Sequence, residues 1–114
     1  MSNIKIRARA KIEKIPNAYI IGEIQNSNKG PKFSNSPDNE FAGEFVIENS
    51  VQVSAGQEDI SGREVFVGDK VFNSIDRSEV YTVRCLKAMG ELHFGVRKEG
   101  IFMKISDFSE YELV

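Results

Sequence analysis

The residues best placed to do chemistry are four cations near the amino end, spaced two apart in IKIRARAKI, residues 4–12. They are Lys5, Arg7, Arg9 and Lys11. Successive side chains of an extended strand point to opposite sides, so all four cations would share one side at intervals of about 6.8 Å. Such a row can bind an anionic polymer or pair with carboxylates. The other side would carry only apolar residues, namely Ile4, Ile6, Ala8, Ala10 and Ile12.

The sequence leaves three explanations of this row open. The segments SEYELV (109–114) and GEFVIE (43–48) alternate in the opposite sense, so either can form an antiparallel neighbour whose glutamates offset the row. Those glutamates are Glu44, Glu48, Glu110 and Glu112. The row can instead meet the acidic part of a second copy or of another protein, or it can bind nucleic acid. Four contacts to duplex phosphates would give log K against log salt a slope of about −3.6.

A polar segment supplies two further cations. QNSNKGPKFSNSPDNE, residues 25–40, has one aromatic residue, Phe33, among Asn, Ser, Pro, Gly and charged residues. A composition of that kind predicts a long, exposed and flexible loop at about 25–42. Lys29, Lys32 and Phe33 are therefore secondary candidates for contact with a partner.

The segment GQEDISGREVFVGDKV, residues 56–71, resembles the central signature of the YopX-like family of phage and prophage proteins. The matching positions are Gly56, Asp59, Gly62, Arg63, Glu64, Val65, Phe66, Gly68, Asp69 and Val71. The opening IKIRA is similar to the start of that family as well. The resemblance implies a β-rich fold, a phage or prophage origin and action in the cytoplasm of a bacterial host. It implies no activity.

The same signature has a purely structural interpretation. Gly62 and Gly68 suit turns that need a positive φ, and Asp69 can accept hydrogen bonds from nearby backbone N–H groups. We therefore expect Gly56, Asp59, Gly62, Glu64, Gly68 and Asp69 to be turn and surface residues. The alternative is a carboxylate cluster of Asp59, Glu64 and Asp69 that binds a cation, which requires the three to converge in space.

Other chemistry has little support in the sequence. Cys85 and His93 are the only residues of their kinds, so neither a zinc site of the usual composition nor a Cys–His nucleophile is indicated. Cys85 follows Tyr81 and Val83 at a spacing of two and is expected to be buried, whereas His93 is expected to face solvent. We predict no catalytic residue, no metal and no cofactor.

The elements that must position these residues are strands. Apolar β-formers recur in short runs that Gly, Asn, Asp and Ser interrupt about every ten residues, which is typical of an all-β or β-dominated domain. We predict strands near 3–13, 18–24, 43–54 with a break at Asn49, 64–73, 79–86, 91–97, 100–105 and 110–114. In the strands predicted near 91–97 and 100–105, alternate apolar residues should face the interior, namely Leu92, Phe94, Val96, Ile101, Met103 and Ile105. The predicted fold is a small antiparallel sheet or barrel of SH3-like size.

Length and charge bound the class of protein. A chain of 114 residues is long enough for one self-sufficient domain, so we predict a single β-rich domain over 1–114. The net charge of −2 hides an asymmetry, because residues 1–33 carry +5 and residues 34–114 carry −7. A single cysteine, no signal-like start and no long apolar run predict a cytoplasmic protein without membrane contact.

We therefore expect a non-enzymatic phage-type interaction protein that binds a phage or host macromolecule or associates with itself. The alternative is a nucleic-acid-binding module that uses Lys5, Arg7, Arg9 and Lys11, helped by Lys29 and Lys32. A metal-dependent enzyme is a distant third.

Overall fold

The computed structural model describes residues 5–105 and 107–114, and within them the chain forms ten strands and two short 3-10 helices. The strands are β1 (Ile6–Ile12), β2 (Ile15–Ser27), β3 (Gly30–Phe33), β4 (Gln52–Glu58), β5 (Glu64–Phe66), β6 (Lys70–Asn73), β7 (Val80–Ala88), β8 (Glu91–Lys98), β9 (Ile101–Lys104) and β10 (Tyr111–Leu113). The 3-10 helices are Glu48–Ser50 and Phe108–Glu110. The ten strands form two antiparallel five-stranded sheets, in the orders β3-β2-β1-β4-β5 and β10-β6-β7-β8-β9.

The all-β prediction is confirmed, and most predicted strands lie within a few residues of observed ones. The clearest difference concerns the predicted loop at about 25–42. Residues 25–27 continue β2, and residues 30–33 form β3, which pairs with β2 from Ile24↔Phe33 to Ser27↔Gly30. A hairpin therefore occupies the first part of that segment, because its backbone groups find partners in β2 although its side chains are mostly polar.

The chain divides into two compact units, with the boundary between Val53 and Ser54. In the first unit, the inner side of the strands holds a cluster of fully or nearly fully buried apolar residues: Ala8, Ala10, Ile12, Ile24, Phe33 and Val46. Small residues opposite one another leave room for the ring of Phe33, since Ala8 faces Gly22 and a Cβ added at Gly22 would lie 3.1 Å from that ring. The alternation of β1 therefore exists because its small even-numbered residues line the core.

A short segment after β3 closes the first unit into a small ring of strands. The backbone N–H of Phe33 donates to the carbonyl of Glu44, at 3.0 Å, and that of Val46 donates to Pro31, at 3.1 Å. On the other flank, the N–H of Ile47 donates to the carbonyl of Lys11, at 2.8 Å. Bonding on both flanks satisfies the edges of β3 and β1 and separates an inner from an outer side.

The second unit is built on the meander β6-β7-β8-β9, with β10 beside β6. Its core holds Ala55, Val65, Val71, Val83, Val96, Phe108 and Tyr111. Two-residue turns join β7 to β8 and β8 to β9, and both central residues of each turn have positive φ, as a type I′ turn requires. These residues are Met89, Gly90, Glu99 and Gly100.

The expectation that Ile101 and Met103 face a covered interior is wrong. Their exposed fractions are 67% and 42%, and Leu92 is also exposed, whereas Val96 on the same side is fully buried. β9 is the last strand of its sheet, so the side chains near it lie beyond the central cluster. Period-two alternation shows which side chains share one side of a sheet. It does not show how far along that side the packed core extends.

Gly95 permits the close approach of β9 to β8, which gives a testable prediction. A Cβ added at Gly95 would lie 2.1 Å from the carbonyl oxygen of Met103. We expect Gly95→Ala to lower the free energy of unfolding by about 1–3 kcal/mol, since the backbone of β9 must shift. Urea unfolding measures the loss, and faster amide exchange of Ile105, whose N–H donates to Phe94, locates it.

Gly90→Ala is the control for that substitution. Gly90 has a positive φ of 78° and no atom within 4 Å of an added Cβ, so its cost is confined to backbone strain in the β7–β8 turn. Parental protection of the Ile105 amide in Gly95→Ala would contradict the prediction.

Candidate binding surface on the first unit

The cations of β1 lie on the outer side of the first unit. Along β1, Ala8, Ala10 and Ile12 are buried, whereas Arg7 is exposed and Arg9 and Lys11 are half-buried. Lys5 is exposed and immediately precedes the strand. The predicted extended segment with its charges segregated from its apolar residues is therefore confirmed for residues 6–12, while Ile4 and the start of the predicted strand lie outside the described residues.

β2 adds the neighbours of these cations. Arg7 lies opposite Glu23 and Arg9 lies opposite Ile21, so the odd-numbered residues of both strands share the outer side. Past this point the register breaks, because Ala10 pairs with Ile20 and Ile12 with Ile15. Between these two pairs, β2 has four residues, 16–19, whereas β1 has one, Lys11, so the strands form a β-bulge. A bulge bends the strand locally and changes the direction of its side chains.

The bulge places the ring of Tyr19 against two cations. The guanidinium carbon of Arg9 lies 5.1 Å from the ring centroid, and the Nζ of Lys11 lies 5.0 Å from it. Such contacts contribute about 0.5–1 kcal/mol each at exposed sites. We call the surface formed by Lys5, Arg7, Arg9, Lys11, Tyr19, Ile21 and Glu23 the basic face.

The basic face combines positive charge with exposed apolar area. Its four cations and one carboxylate leave a net charge of +3. Tyr19 is 43% exposed and Ile21 is 48% exposed. The Nε of Arg9 donates to the Oε1 of Gln52 at 2.6 Å, and Gln52 lies opposite Arg9 on β4. That hydrogen bond orients one guanidinium beside the ring.

The structure separates the three candidate residues of the polar segment. Lys32, on β3, lies opposite Gln25 and therefore shares the outer side with Glu23. Lys29 is exposed in the turn between β2 and β3. Phe33, predicted as an exposed contact, is instead fully buried in the core, since its side chain points inward beside Ile24.

Two glutamates of the predicted acidic neighbours pair with cations outside the basic face. β10 pairs with β6, and Glu112 forms an ion pair with Arg77. Glu44 pairs with Lys14 at 2.7 Å. β1 pairs with β2 and β4, and the segment 43–48 meets the end of β1 at the antiparallel bridge Ile12↔Val46, as one of the two predicted pairings requires.

Asp59 is a buried structural residue of the second unit. Its carboxylate accepts hydrogen bonds from the backbone N–H groups of Ser61, Arg63 and Leu113, at 3.0, 2.8 and 2.9 Å. Burial raises the pKa of Asp59, but these hydrogen bonds outweigh it, and the pKa falls from 3.8 to about 2. The prediction of a turn residue is confirmed, but the surface position is wrong, because Asp59 is 4% exposed.

The other signature residues also have structural partners. Glu64 accepts a hydrogen bond from the hydroxyl of Ser54 at 2.6 Å, and Asp69 accepts one from the N–H of Phe66 at 2.8 Å. Positive φ values occur at all three signature glycines, Gly56, Gly62 and Gly68. Among residues 5–105 and 107–114, no three His, Cys, Asp or Glu side chains are placed to hold a metal ion together.

Two further candidate residues lie in β7 and β8. Cys85, which was expected to be buried, and His93, which was expected to face solvent, are both half-buried in the β7–β8 hairpin. A cavity of about 250 Å³ in the first unit is lined mainly by apolar side chains, including Ile6, Ile24 and Val53.

In the part of the chain that the structure describes, no helix has the length and apolar character of a membrane span.

Sequence reasoning missed Tyr19 and Ile21 as parts of the surface. The run AYIIGEI has apolar residues at both odd and even positions, so it shows no polar side. Two features of the sequence could have indicated them. Glu23 is an even number of residues from Tyr19 and Ile21 and so falls on the same side of the strand, and Pro16 has no N–H to donate to a neighbouring strand and often marks a bulge.

Compared with known proteins, the chain matches no family model and no curated sequence.

Proposed function

We propose that this chain is a non-enzymatic phage-type protein that works in the cytoplasm of a bacterial host, where its basic face binds an acidic macromolecule of the phage or the host. The resemblance of residues 56–71 to the YopX-like signature supports the phage origin. The basic face supports the binding role.

One observation carries the proposal: the cations of β1 share one outer side, together with exposed Tyr19 and Ile21. Isolated exposed cations are ordinary, but a net charge of +3 on two neighbouring strands creates a local positive potential in a chain whose net charge is −2. Aromatic and arginine side chains are enriched at interfaces, and the basic face carries both kinds.

The test compares charge reversals on two strands. Lys5→Glu/Lys11→Glu reverses two cations of the basic face, and Arg84→Glu/Lys87→Glu reverses two exposed cations of β7. We expect the first pair to weaken binding of heparin, poly-glutamate or a 20-nucleotide single strand by about tenfold or more at low salt, because attraction to polyanions scales with local charge. The second pair should leave that binding close to the parental value.

Titration by fluorescence anisotropy provides the affinities, and thermal melting checks that both variants fold. The proposal fails if the parent binds none of the three polyanions at low salt. It fails equally if the β7 pair weakens binding as much as the basic-face pair does.

Self-association is the second candidate, and the opposite charges of residues 1–33 and 34–114 favour it. In that case the mass measured by sedimentation would rise with protein concentration, and high salt or Lys5→Glu/Lys11→Glu would reverse the rise. A mass of one chain at all concentrations would eliminate it.

A further inference from the structure

We infer that the macromolecule bound by the basic face is a single-stranded nucleic acid, with one base stacked on Tyr19 and neighbouring phosphates held by the cations of β1. This inference rests on the proposed function and specifies its ligand. It follows from the side chains placed around the Tyr19 ring.

The Tyr19 ring lies within the row of charges. The Tyr19 ring lies about 5 Å from both the Arg9 guanidinium and the Lys11 ammonium, yet 43% of the residue is exposed. Ile21, also exposed, continues the apolar surface along β2. A flat apolar area bordered by cations matches a nucleotide, which joins a flat base to a charged phosphate.

A ligand phosphate competes with the Tyr19 ring for the cations beside it. Their contacts with the ring are weaker than the charge-assisted hydrogen bonds that phosphate oxygens offer. We therefore expect the flexible Lys11 side chain to exchange the ring for a phosphate, which leaves ring area for a base. The hydrogen bond from Arg9 to Gln52 keeps the Arg9 guanidinium in position, and a guanidinium plane is itself a stacking surface for bases.

The Tyr19 ring favours nucleic acid over an acidic protein segment. Carboxylates would satisfy the cations but gain nothing from the ring, whose negative face repels them. A base gains stacking area on Tyr19 and contact with Ile21. An exposed aromatic between cations is therefore better matched by a nucleotide strand than by a run of Asp or Glu.

The Tyr19 ring also favours a single strand over a duplex. In a duplex the face of each base is covered by its stacked neighbours, so a side chain on a sheet surface cannot stack on it. Only unpaired bases can use Tyr19. The basic face thus selects single strands through one ring and holds them through charge.

The experiment measures binding of fluorescein-labelled oligo(dT) of 20 nucleotides, a duplex of the same length and poly-glutamate to the parent, Tyr19→Leu and Tyr19→Phe. We expect Tyr19→Leu to weaken oligo(dT) binding by roughly 5- to 150-fold, the effect of losing one stacked base. Tyr19→Phe, which keeps the ring, should stay within about twofold of the parent. For oligo(dT), log K against log salt should have a slope of about −2.8 for four phosphate contacts, unchanged in Tyr19→Leu.

Phe45→Leu is the matched control, because Phe45 is an aromatic residue of the first unit that is 44% exposed but lies opposite Lys32 rather than opposite a cation of β1. It should leave oligo(dT) affinity unchanged. Equal loss in Phe45→Leu and Tyr19→Leu would overturn the assignment of the base to Tyr19.

The three ligands separate failure of this inference from failure of the proposed function. Binding of poly-glutamate without oligo(dT), or a preference for duplex over single strand, would overturn the inference and leave an acidic partner for the basic face. Absence of binding to these three ligands and to heparin would overturn both. Oligo(dT) binding that Tyr19→Leu does not weaken would overturn the inference alone.

Discussion

Replacing Phe33 by alanine should lower the free energy of unfolding by about 3–5 kcal/mol. The Phe33 side chain is fully buried among small and medium apolar residues of the first unit. Ala8, Ala10 and Gly22 cannot expand to fill the space that the ring leaves, because their side chains are one carbon or none. The loss therefore includes both the transfer of the ring to solvent and the cost of a cavity.

Urea unfolding followed by circular dichroism measures this effect, and amide exchange of Ala10 and Ile24 locates it. A loss of this size is a large part of the stability of a small domain, so Phe33→Leu serves as a milder variant, with an expected loss of about 1–2 kcal/mol. Phe45→Ala removes the same side chain at a 44% exposed position and should cost less than about 1 kcal/mol. Equal unfolding midpoints for Phe33→Ala and Phe45→Ala would show that Phe33 is not a core residue.

Replacing Asp59 by alanine should cost about 3 kcal/mol or more in the second unit. Three buried or partly buried N–H groups, those of Ser61, Arg63 and Leu113, lose their acceptor at once. The N–H of Leu113 belongs to β10, so the carboxylate joins the 59–63 turn to that strand. Amide exchange of Leu113 should accelerate more than that of residues in β7 and β8.

Asp76→Ala is the matched control for Asp59→Ala. Asp76 also begins an Asp-x-Ser turn and accepts a hydrogen bond from the N–H of Ser78 at 3.0 Å, but it is exposed. We expect this exposed turn to contribute less than about 1 kcal/mol. Similar losses in Asp59→Ala and Asp76→Ala would contradict the structural role assigned to burial.

Asp59 also predicts a loss of stability in acid. Its folded pKa of about 2 lies below the ordinary value of 3.8, so the folded state favours the charged form. The resulting stabilisation, about 2 kcal/mol, is complete above about pH 4 and disappears as the pH falls from about 4 to 2. The stability difference between the parent and Asp59→Asn should therefore shrink across that interval, and a constant difference would refute the prediction.

Local patterns were sufficient for much of the fold. The alternation of residues 6–12 determined which side of β1 is apolar, and glycines at 62, 68 and 100 marked turns whose positive φ the structure confirms. These features depend on one residue and its immediate neighbours. Period-two geometry and the steric freedom of glycine act at that range.

The polar segment shows where local patterns fail. Residues 30–33 contain Gly, Pro and Lys and have little intrinsic strand preference, so composition predicted a loop. The hydrogen bonds that make β3 come from β2 and from the 44–46 segment. The burial of Phe33 follows from that pairing.

The amino-acid sequence by itself determined the strand content and the row of cations in β1. Only the tertiary structure decided what faces that row. The bulge between β1 and β2 sets the register that brings Tyr19 to Arg9 and Lys11, and β10, a predicted partner of β1, pairs with β6 instead. The reason is physical: side-chain alternation is set within one strand, whereas register and strand order depend on hydrogen bonds between residues far apart in the chain.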